Sequence, residues 1–375
     1  MTLQEAFKDI SDHRSGPAKR YDLTEVIIMA ICAVLCGAGG WVDIADWCDD
    51  EEPWLRSFLT LTHGTPSHDT FGKIFRALDS AVFEACFRAW IGSIVGVAKG
   101  VIALDGKTLR GSKDGPNTAL HMVSAYATML GVSLGQEGSA GKGNELAAIR
   151  MLLNTLALKG CIVTLDALGC QTDIAAQIVD QGGDYVLAVK DNQKTLAQAL
   201  VEFFDTAEAF DYGRIPVQKR VFVEKDHGRI ETRRVTFAPD VSWMDASLRA
   251  HWKNLSAVGM IESEQDIKGK VSVERRYFII SAGVTTADQF AGAARDHWGV
   301  ESMHWVLDVT FGEDACRVRK GHAAGNLSAI RKFALSALKT NTRYANRSLR
   351  RRRKLADHRP EYRAELLGIE IPQVC

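Results

Sequence analysis

The order of apolar segments between Gly100 and Val189 constrains this chain more than any other feature. Residues 101–104 form a short continuous apolar run, as a buried strand requires. Residues 120–128 alternate as a second strand, and residues 130–134 follow after a short turn as a third. Asn144 then caps a helix over residues 145–158, closed by Lys159-Gly160. Residues 161–165 make a fourth strand, residues 172–179 a helix that stops at Gly182-Gly183, and residues 185–189 a fifth strand. A plain doubly wound sheet alternates strand and helix from its start. Three consecutive strands followed by helix, strand, helix, strand instead describe a meander that feeds two parallel crossovers.

That is the order of the ribonuclease-H-like fold, so the chain is read as α/β with a ribonuclease-H-like catalytic domain over residues 99–345. A β-rich insertion at about residues 206–285 interrupts it, with strand-like segments at 217–223, 230–237, 255–261 and 273–281. The turns Asp226-His-Gly228 and Lys268-Gly269 separate these segments. Residues 1–98 form an all-helical N-terminal domain. Thr24 is the expected cap of its first long helix, which Gly37 and Gly39-Gly40 close. Ser67 caps a later helix whose Phe71, Ile74, Phe75 and Leu78 face inward, leaving Lys73 and Arg76 outside. A short turn before a helix with exposed basic residues fits a helix-turn-helix reader of DNA, or a plain bundle corner. Trp41, Trp47, Trp54 and Trp90 are expected in the core of that bundle.

Charge sharpens the reading only through its distribution. The 46 Lys and Arg balance 46 Asp and Glu. Between Ala315 and Ala356, however, there are 13 Lys or Arg and no acid, including Arg350-Arg-Arg-Arg-Lys354. Such a run either is a solvated tail over residues 346–375 or tracks a phosphate backbone. A helix over residues 326–339, with Leu327, Ile330, Ala334, Leu335 and Leu338 inward, should deliver these charges beside the catalytic core. The cysteines, Cys32, Cys36, Cys48, Cys86, Cys161, Cys170, Cys316 and Cys375, form no C-x-x-C pair. They read as buried small hydrophobes of a reducing cytosol. Residues 1–12 lack a signal pattern, and the apolar run 26–39 is too short to span a bilayer, so no membrane partner is expected.

Three acids stand at the polar ends of apolar elements: Asp105 after the first strand, Asp166 after the fourth, and Glu301 within an amphipathic helix. In a ribonuclease-H-like sheet the first strand lies centrally beside the fourth, which makes Asp105 and Asp166 neighbours. Glu301 on the returning helix can close the set. Three converging carboxylates repel unless hard cations sit among them, and they could hold two Mg²⁺ ions about 3.5–4 Å apart for phosphoryl chemistry. A zinc site on His297, Glu301 and His304 is the weaker reading, because no cysteine or further histidine converges. Trp298 and Trp305 are read as core. The glycines of residues 135–143 lack the order of a phosphate loop, so no nucleotide cofactor is expected. Lys107, Arg110, Lys142, Lys190 and Asn192 follow strands near the acids, with Lys190 and Asn192 the better candidates for phosphate contacts.

The words around the acids carry a resemblance. Leu104-Asp-Gly-Lys-Thr-Leu-Arg-Gly-Ser112, Leu165-Asp-Ala-Leu-Gly-Cys-Gln171, Tyr185-Val-Leu-Ala-Val-Lys-Asp-Asn-Gln193 and the stretch from His297 to Phe311 resemble the DDE transposases of bacterial insertion sequences, in the branch of H-repeat-associated proteins. Asp12-His-Arg14 and Pro66-Ser-His-Asp-Thr-Phe71 resemble that branch's N-terminal associated domain. The resemblance implies that Asp105, Asp166 and Glu301 are the catalytic triad and metal ligands, with Mg²⁺ as cofactor and Mn²⁺ able to substitute. It implies binding to the element's terminal inverted repeats, strand cleavage and strand transfer into target DNA, by a homo-oligomer on the DNA ends of a bacterial, nucleoid-associated cytoplasmic protein. The expected contacts to double-stranded DNA are Lys73, Arg76, Lys107, Lys190, Asn192, His297, Arg350, Arg351, Arg352, Arg353 and Lys354. One departure stands out: where the wider family often has Tyr, Arg and Lys around its glutamate, this chain has Ala294, His297 and Asp308. The alternatives are a domesticated nuclease with the same triad, or a DNA-binding remnant without activity.

Overall fold

Nine strands in one mixed sheet organise the protein, as seen in a computed structural model that describes residues 1–12, 14, 19–115, 118–139, 141–213, 215–226, 229–267 and 269–370. His13, His227, Gly228, Lys268 and Cys375, all used in the sequence reading, lie outside the described residues. The strands are β1 (Gly100–Thr108), β2 (His121–Ala127), β3 (Val132–Ser139), β4 (Cys161–Leu165), β5 (Asp184–Val189), β6 (Gln218–Asp226), β7 (Arg229–Ala238), β8 (Leu255–Ile267) and β9 (Lys270–Ser281). Their order is β3-β2-β1-β4-β5-β9-β8-β7-β6. β1, β4 and β5 pair in parallel. The β2–β3 pair and every pair from β5 to β6 are antiparallel. The chain is thus α/β with a large mixed sheet.

Two details go beyond the sequence reading. The segments read as an insertion after the fifth strand extend the same sheet, with β9 pairing on β5, Val186 opposite Ile280. Without β9, β5 would offer an apolar edge to solvent, and such edges are usually covered. The glycine-rich stretch after residue 134 also continues as strand, taking β3 to Ser139 with an irregularity at Ala125/Tyr126 opposite Gly135.

The fold divides into two compact units. The first comprises Met1–Val97, Gly106–Ala148 and Glu301–Cys375, so the N-terminal helices share a unit with later parts of the chain. Between residues 1 and 97 the described elements are all helices. Asp22, not Thr24, caps the helix Leu23–Cys36, accepting from the Glu25 amide at 2.9 Å. Thr24 instead donates to the Phe7 carbonyl. Of the four tryptophans expected inside, Trp90 is buried and stacks on Phe333 at 3.9 Å, while Trp41, Trp47 and Trp54 are only partly covered.

At the centre of this unit runs the helix Ala323–Thr340, buried from Ala323 to Leu338. A helix buried all round must satisfy its polar side chains internally. Asn326 donates to the Phe75 and Leu78 carbonyls, Arg331 to the Gly39 carbonyl at 2.8 Å, and Lys332 to Gln136. Burial pushes the Glu84 carboxyl up to about 7 against the pull of Lys332.

The second unit comprises Ala98–Asp105 and Ile149–Val300. Its core gathers Val101, Val186, Val235, Phe237, Phe278, Ile280 and Phe290. Phe290, from the helix Ala287–Asp296, meets Phe278 edge-on with ring centroids 5.2 Å apart. Among the described residues no single helix is long and apolar enough to cross a membrane. The most apolar, Leu23–Cys36, is buried within the first unit.

Candidate active site

β1 and β4 run side by side with Leu104 opposite Leu165 as their last paired couple. Asp105 and Asp166 are the next residues along the two strands. Neighbouring strands lie about 4.8 Å apart, so the second unit presents two carboxylates together where the buried run Val101–Leu104 ends and exposure begins. Two features hold the loop after Asp166. Its Oδ1 accepts from the Gly169 amide at 3.2 Å. From the end of β5, Asn192 donates to the Ala167 carbonyl at 2.6 Å and Gln193 to the Cys170 carbonyl at 3.0 Å. Burial, reinforced by the charge of Asp166, pushes the Cys170 thiol up to about 12, which makes it an inert filler. Cys36 is likewise pushed up to about 12 by burial.

Glu301 sits in the helix Trp298–Val309 and is exposed. That helix turns Val300, Met303 and Leu307 into the core. This 3–4 spacing leaves Trp298 and Trp305 outside, 45% and 63% exposed, contrary to the expectation that they were core. Trp298 packs under the Arg276 guanidinium. His297, just before the helix, lies with Nδ1 3.0 Å from Thr164 Oγ1 on β4. His304 is buried while Glu301 is exposed, so the two do not point to a shared zinc. Among the described residues no three or more His, Cys, Asp or Glu gather in a group that could hold a metal ion. Asp105 and Asp166 nevertheless supply the hard oxygen donors that divalent ions such as Mg²⁺ take.

The cationic residues divide sharply. Lys73, Arg76, Lys190, Arg350, Arg351 and Lys354 are exposed. Lys107, expected on phosphate, is instead 12% exposed and ion-paired to Asp308, to Glu313 at 2.9 Å and to Asp314 at 3.5 Å. Arg352 and Arg353 must also be withdrawn from the phosphate-facing set. Arg352 bonds the Tyr362 hydroxyl and the Asn341 carbonyl, and Arg353 the Val34 and Thr310 carbonyls. The reason is the helix Leu349–His358, whose period sends Arg352, Arg353 and Ala356 inward and Arg350, Arg351 and Lys354 outward. Residues 349–367 are therefore mostly folded helix, Leu349–His358 and Pro360–Leu367, rather than a solvated tail.

Residues 97–337 match the family described as Transposase DDE domain, and residues 4–91 match DDE_Tnp_1-associated. H repeat-associated putative transposase YhhI of Escherichia coli (strain K12) is 38% identical over 374 residues, covering 98% of this chain and 97% of its own. The chain belongs to the DDE transposase family. Putative transposase YncI of Escherichia coli O157:H7 is 38% identical over 92% of this transposase and 90% of its own length. A protein in the dhlA 3' region of Xanthobacter autotrophicus is 40% identical over 72% of this chain and 90% of its own. Among solved structures, the piggyBac transposase synaptic complex with hairpin DNA aligns at a TM-score of 0.40 and 10% identity, over 99% of this chain and 78% of that one.

The glycines in the first motif of this transposase have steric causes that the sequence alone does not disclose. A Cβ on Gly106 would lie 2.3 Å from Glu145 Oε1 and 2.4 Å from His121 Nε2. These two side chains form a buried pair, 2.9 Å apart, that the sequence reading missed because neither falls in a recognisable pattern. On Gly111 a Cβ would meet the Cys316 carbonyl oxygen at 1.8 Å, and backbone cannot step aside as a flexible side chain can. Gly111→Ala is therefore expected to destabilise the protein by about 1–3 kcal/mol, the usual range for overpacking. A thermal melt checks this. An unchanged melting temperature would show that the Cys316 segment yields freely.

Proposed function

We propose that this transposase cuts DNA at the terminal inverted repeats of its element and joins the 3′ ends to a target, with Asp105, Asp166 and Glu301 as its catalytic acids. The observation that carries the reading is the pair of carboxylates at the ends of adjacent parallel strands, reached from positions far apart in the sequence. The sheet supports a ribonuclease-H-like reading: β1, β4 and β5 parallel, with the antiparallel β2 and β3 beside β1. His297 supports the inclusion of Glu301, since this residue just before the Glu301 helix is bonded to β4 two positions before Asp166.

Asp105, Asp166 and Glu301 would hold the divalent ions, Mg²⁺ with Mn²⁺ able to substitute. When bound, such ions acidify the attacking water or 3′-hydroxyl and take up charge on the leaving oxygen. The protein's own residues supply order. Asn192 and Gln193 keep the Asp166 loop in place, and exposed Lys190 beside them is suited to a phosphate. Lys73 and Arg76, exposed on the helix His68–Ala77, are proposed to meet the element's ends as part of an N-terminal reader over residues 1–98. The working form is proposed to be a homo-oligomer on paired ends, acting at the bacterial nucleoid.

Incubating the full chain with duplex carrying its own terminal repeats tests this. Strand breaks at the repeat ends are expected with Mg²⁺, none with EDTA, and joined products are expected when target DNA is added. Cutting without joining would favour a nuclease. Binding without metal-dependent cutting would favour a remnant that only occupies the ends.

A further inference from the structure

Resting on the reading of Glu301 as a catalytic acid, we infer that Lys107 is a positioning residue that fixes, through Asp308, the direction in which the Glu301 helix faces. Lys107 lies two residues beyond Asp105 in β1, so strand alternation puts both side chains on one face. Asp308 lies seven residues beyond Glu301 in the unbroken helix Trp298–Val309. At about 100° per residue, seven residues fall about 20° short of two turns, so Glu301 and Asp308 share a face. Lys107 Nζ donates to Asp308 and, at 2.9 Å, to Glu313 Oε2.

The socket around Lys107 is built rather than incidental. The Glu313 side chain is 1% exposed and accepts from Ser328 of the central helix at 2.9 Å. Burial alone would raise the Glu313 carboxyl, but the charges of Lys332 and Lys107 hold it below the usual range. At 12% exposure, with three carboxylates around it, Lys107 is spent on the protein.

Apolar contacts cannot do this work by themselves. Val300, Met303 and Leu307 bury the helix's inner face, but burial is non-directional and tolerates some rotation about the helix axis. A charge-assisted hydrogen bond from a fixed strand has direction and a short reach, so it selects one rotation. Asp308 also acquires a purpose. As an anion at a part-exposed site it cannot grip phosphate, and it is suited to be the handle that Lys107 holds.

The test uses the full-length protein and duplex carrying the element's own terminal repeats. Lys107→Met keeps the stem and removes the charge; Asp308→Asn removes the partner charge at a part-exposed site and is the safer variant for folding. Each is expected to bind the ends with wild-type Kd. Each should cut about a hundredfold more slowly, the scale set by an ångström-sized misplacement of a reacting group. Half-maximal cutting should also require more Mg²⁺, a shift that mere loss of stability would not cause. Lys107→Arg should restore most of the rate, and the double variant should be no worse than either single one. Wild-type rate and Mg²⁺ dependence in Asp308→Asn would overturn the inference even if Lys107→Met failed to fold. So would a Lys107→Met protein that binds ends weakly yet cuts normally at saturating DNA, since that places Lys107 on phosphate. Glu301→Gln separates the two levels. If it cuts normally, the assignment of Glu301 fails; if it is dead while both clamp variants are normal, only the clamp fails.

Discussion

Asp105→Asn, Asp166→Asn and Glu301→Gln are each expected to abolish strand cleavage while leaving binding to the element's ends close to wild type. Each substitution keeps an oxygen in place and removes one negative charge. A divalent ion held by hard carboxylates is worth several kcal/mol of stabilisation to the reacting phosphate. Losing about 4 kcal/mol of it corresponds to a rate loss on the order of 10³-fold. Binding should persist because phosphate contacts come from cationic groups, such as the exposed Lys73, Arg76 and Lys190. A gel-based cleavage time course, a filter-binding titration and a thermal melt on the same preparation separate these effects. Wild-type cutting by any one variant would remove that residue from the triad. Loss of folding in an Asn variant would instead show that the acid serves the core.

How far the sequence disclosed this arrangement depends on which physical signal each residue leaves. Asp105 and Asp166 were legible because each follows a continuous apolar run, and the strand, helix, strand order brings such runs side by side. The pairing of Leu104 with Leu165 agrees with that expectation. The β-rich segments were legible as strands but not as part of the main sheet. Alternation specifies a strand's faces and is silent about which edge it joins; the pairing of β9 with β5 is a tertiary fact. Trp298 and Trp305 misled because a large aromatic side chain usually signals a core, whereas the helix buries Val300, Met303 and Leu307 instead. Lys107 left no signal at all. Its partners lie some 200 positions away, and a lysine near a strand end looks the same whether it meets a phosphate or a buried glutamate.

The basic C-terminal run shows most clearly what charge counting misses, and it yields the second large prediction. Arg363 is fully buried, with Nη2 2.6 Å from Glu51 and its guanidinium 3.9 Å from the Trp54 ring centroid. Arg353 reaches the Val34 carbonyl at 2.6 Å and lies 4.1 Å from the Phe311 ring centroid. Both arginines are packing residues of the first unit. Removing one partner of a buried charged pair costs about 3–5 kcal/mol. Glu51 is 29% exposed and can rehydrate, which places Arg363→Ala toward the lower end. A fall in melting temperature of roughly 4–8 °C is expected, with no change in the salt dependence of DNA binding beyond what unfolding causes. The outward residues of the neighbouring helix should behave in the opposite way. Replacing Arg350, Arg351 and Lys354 together by Ala should leave the melt nearly unchanged. It should flatten the slope of log K against log salt by up to about 2.7, since each phosphate contact contributes about 0.9. The loss should be the same on element ends and on random duplex, because cations on phosphates position DNA without reading bases. If the triple variant keeps the full salt slope, those charges are solvated and DNA runs elsewhere. If Arg363→Ala melts like wild type, the guanidinium between Glu51 and Trp54 is dispensable and the folded C-terminal helices are held by their apolar face alone.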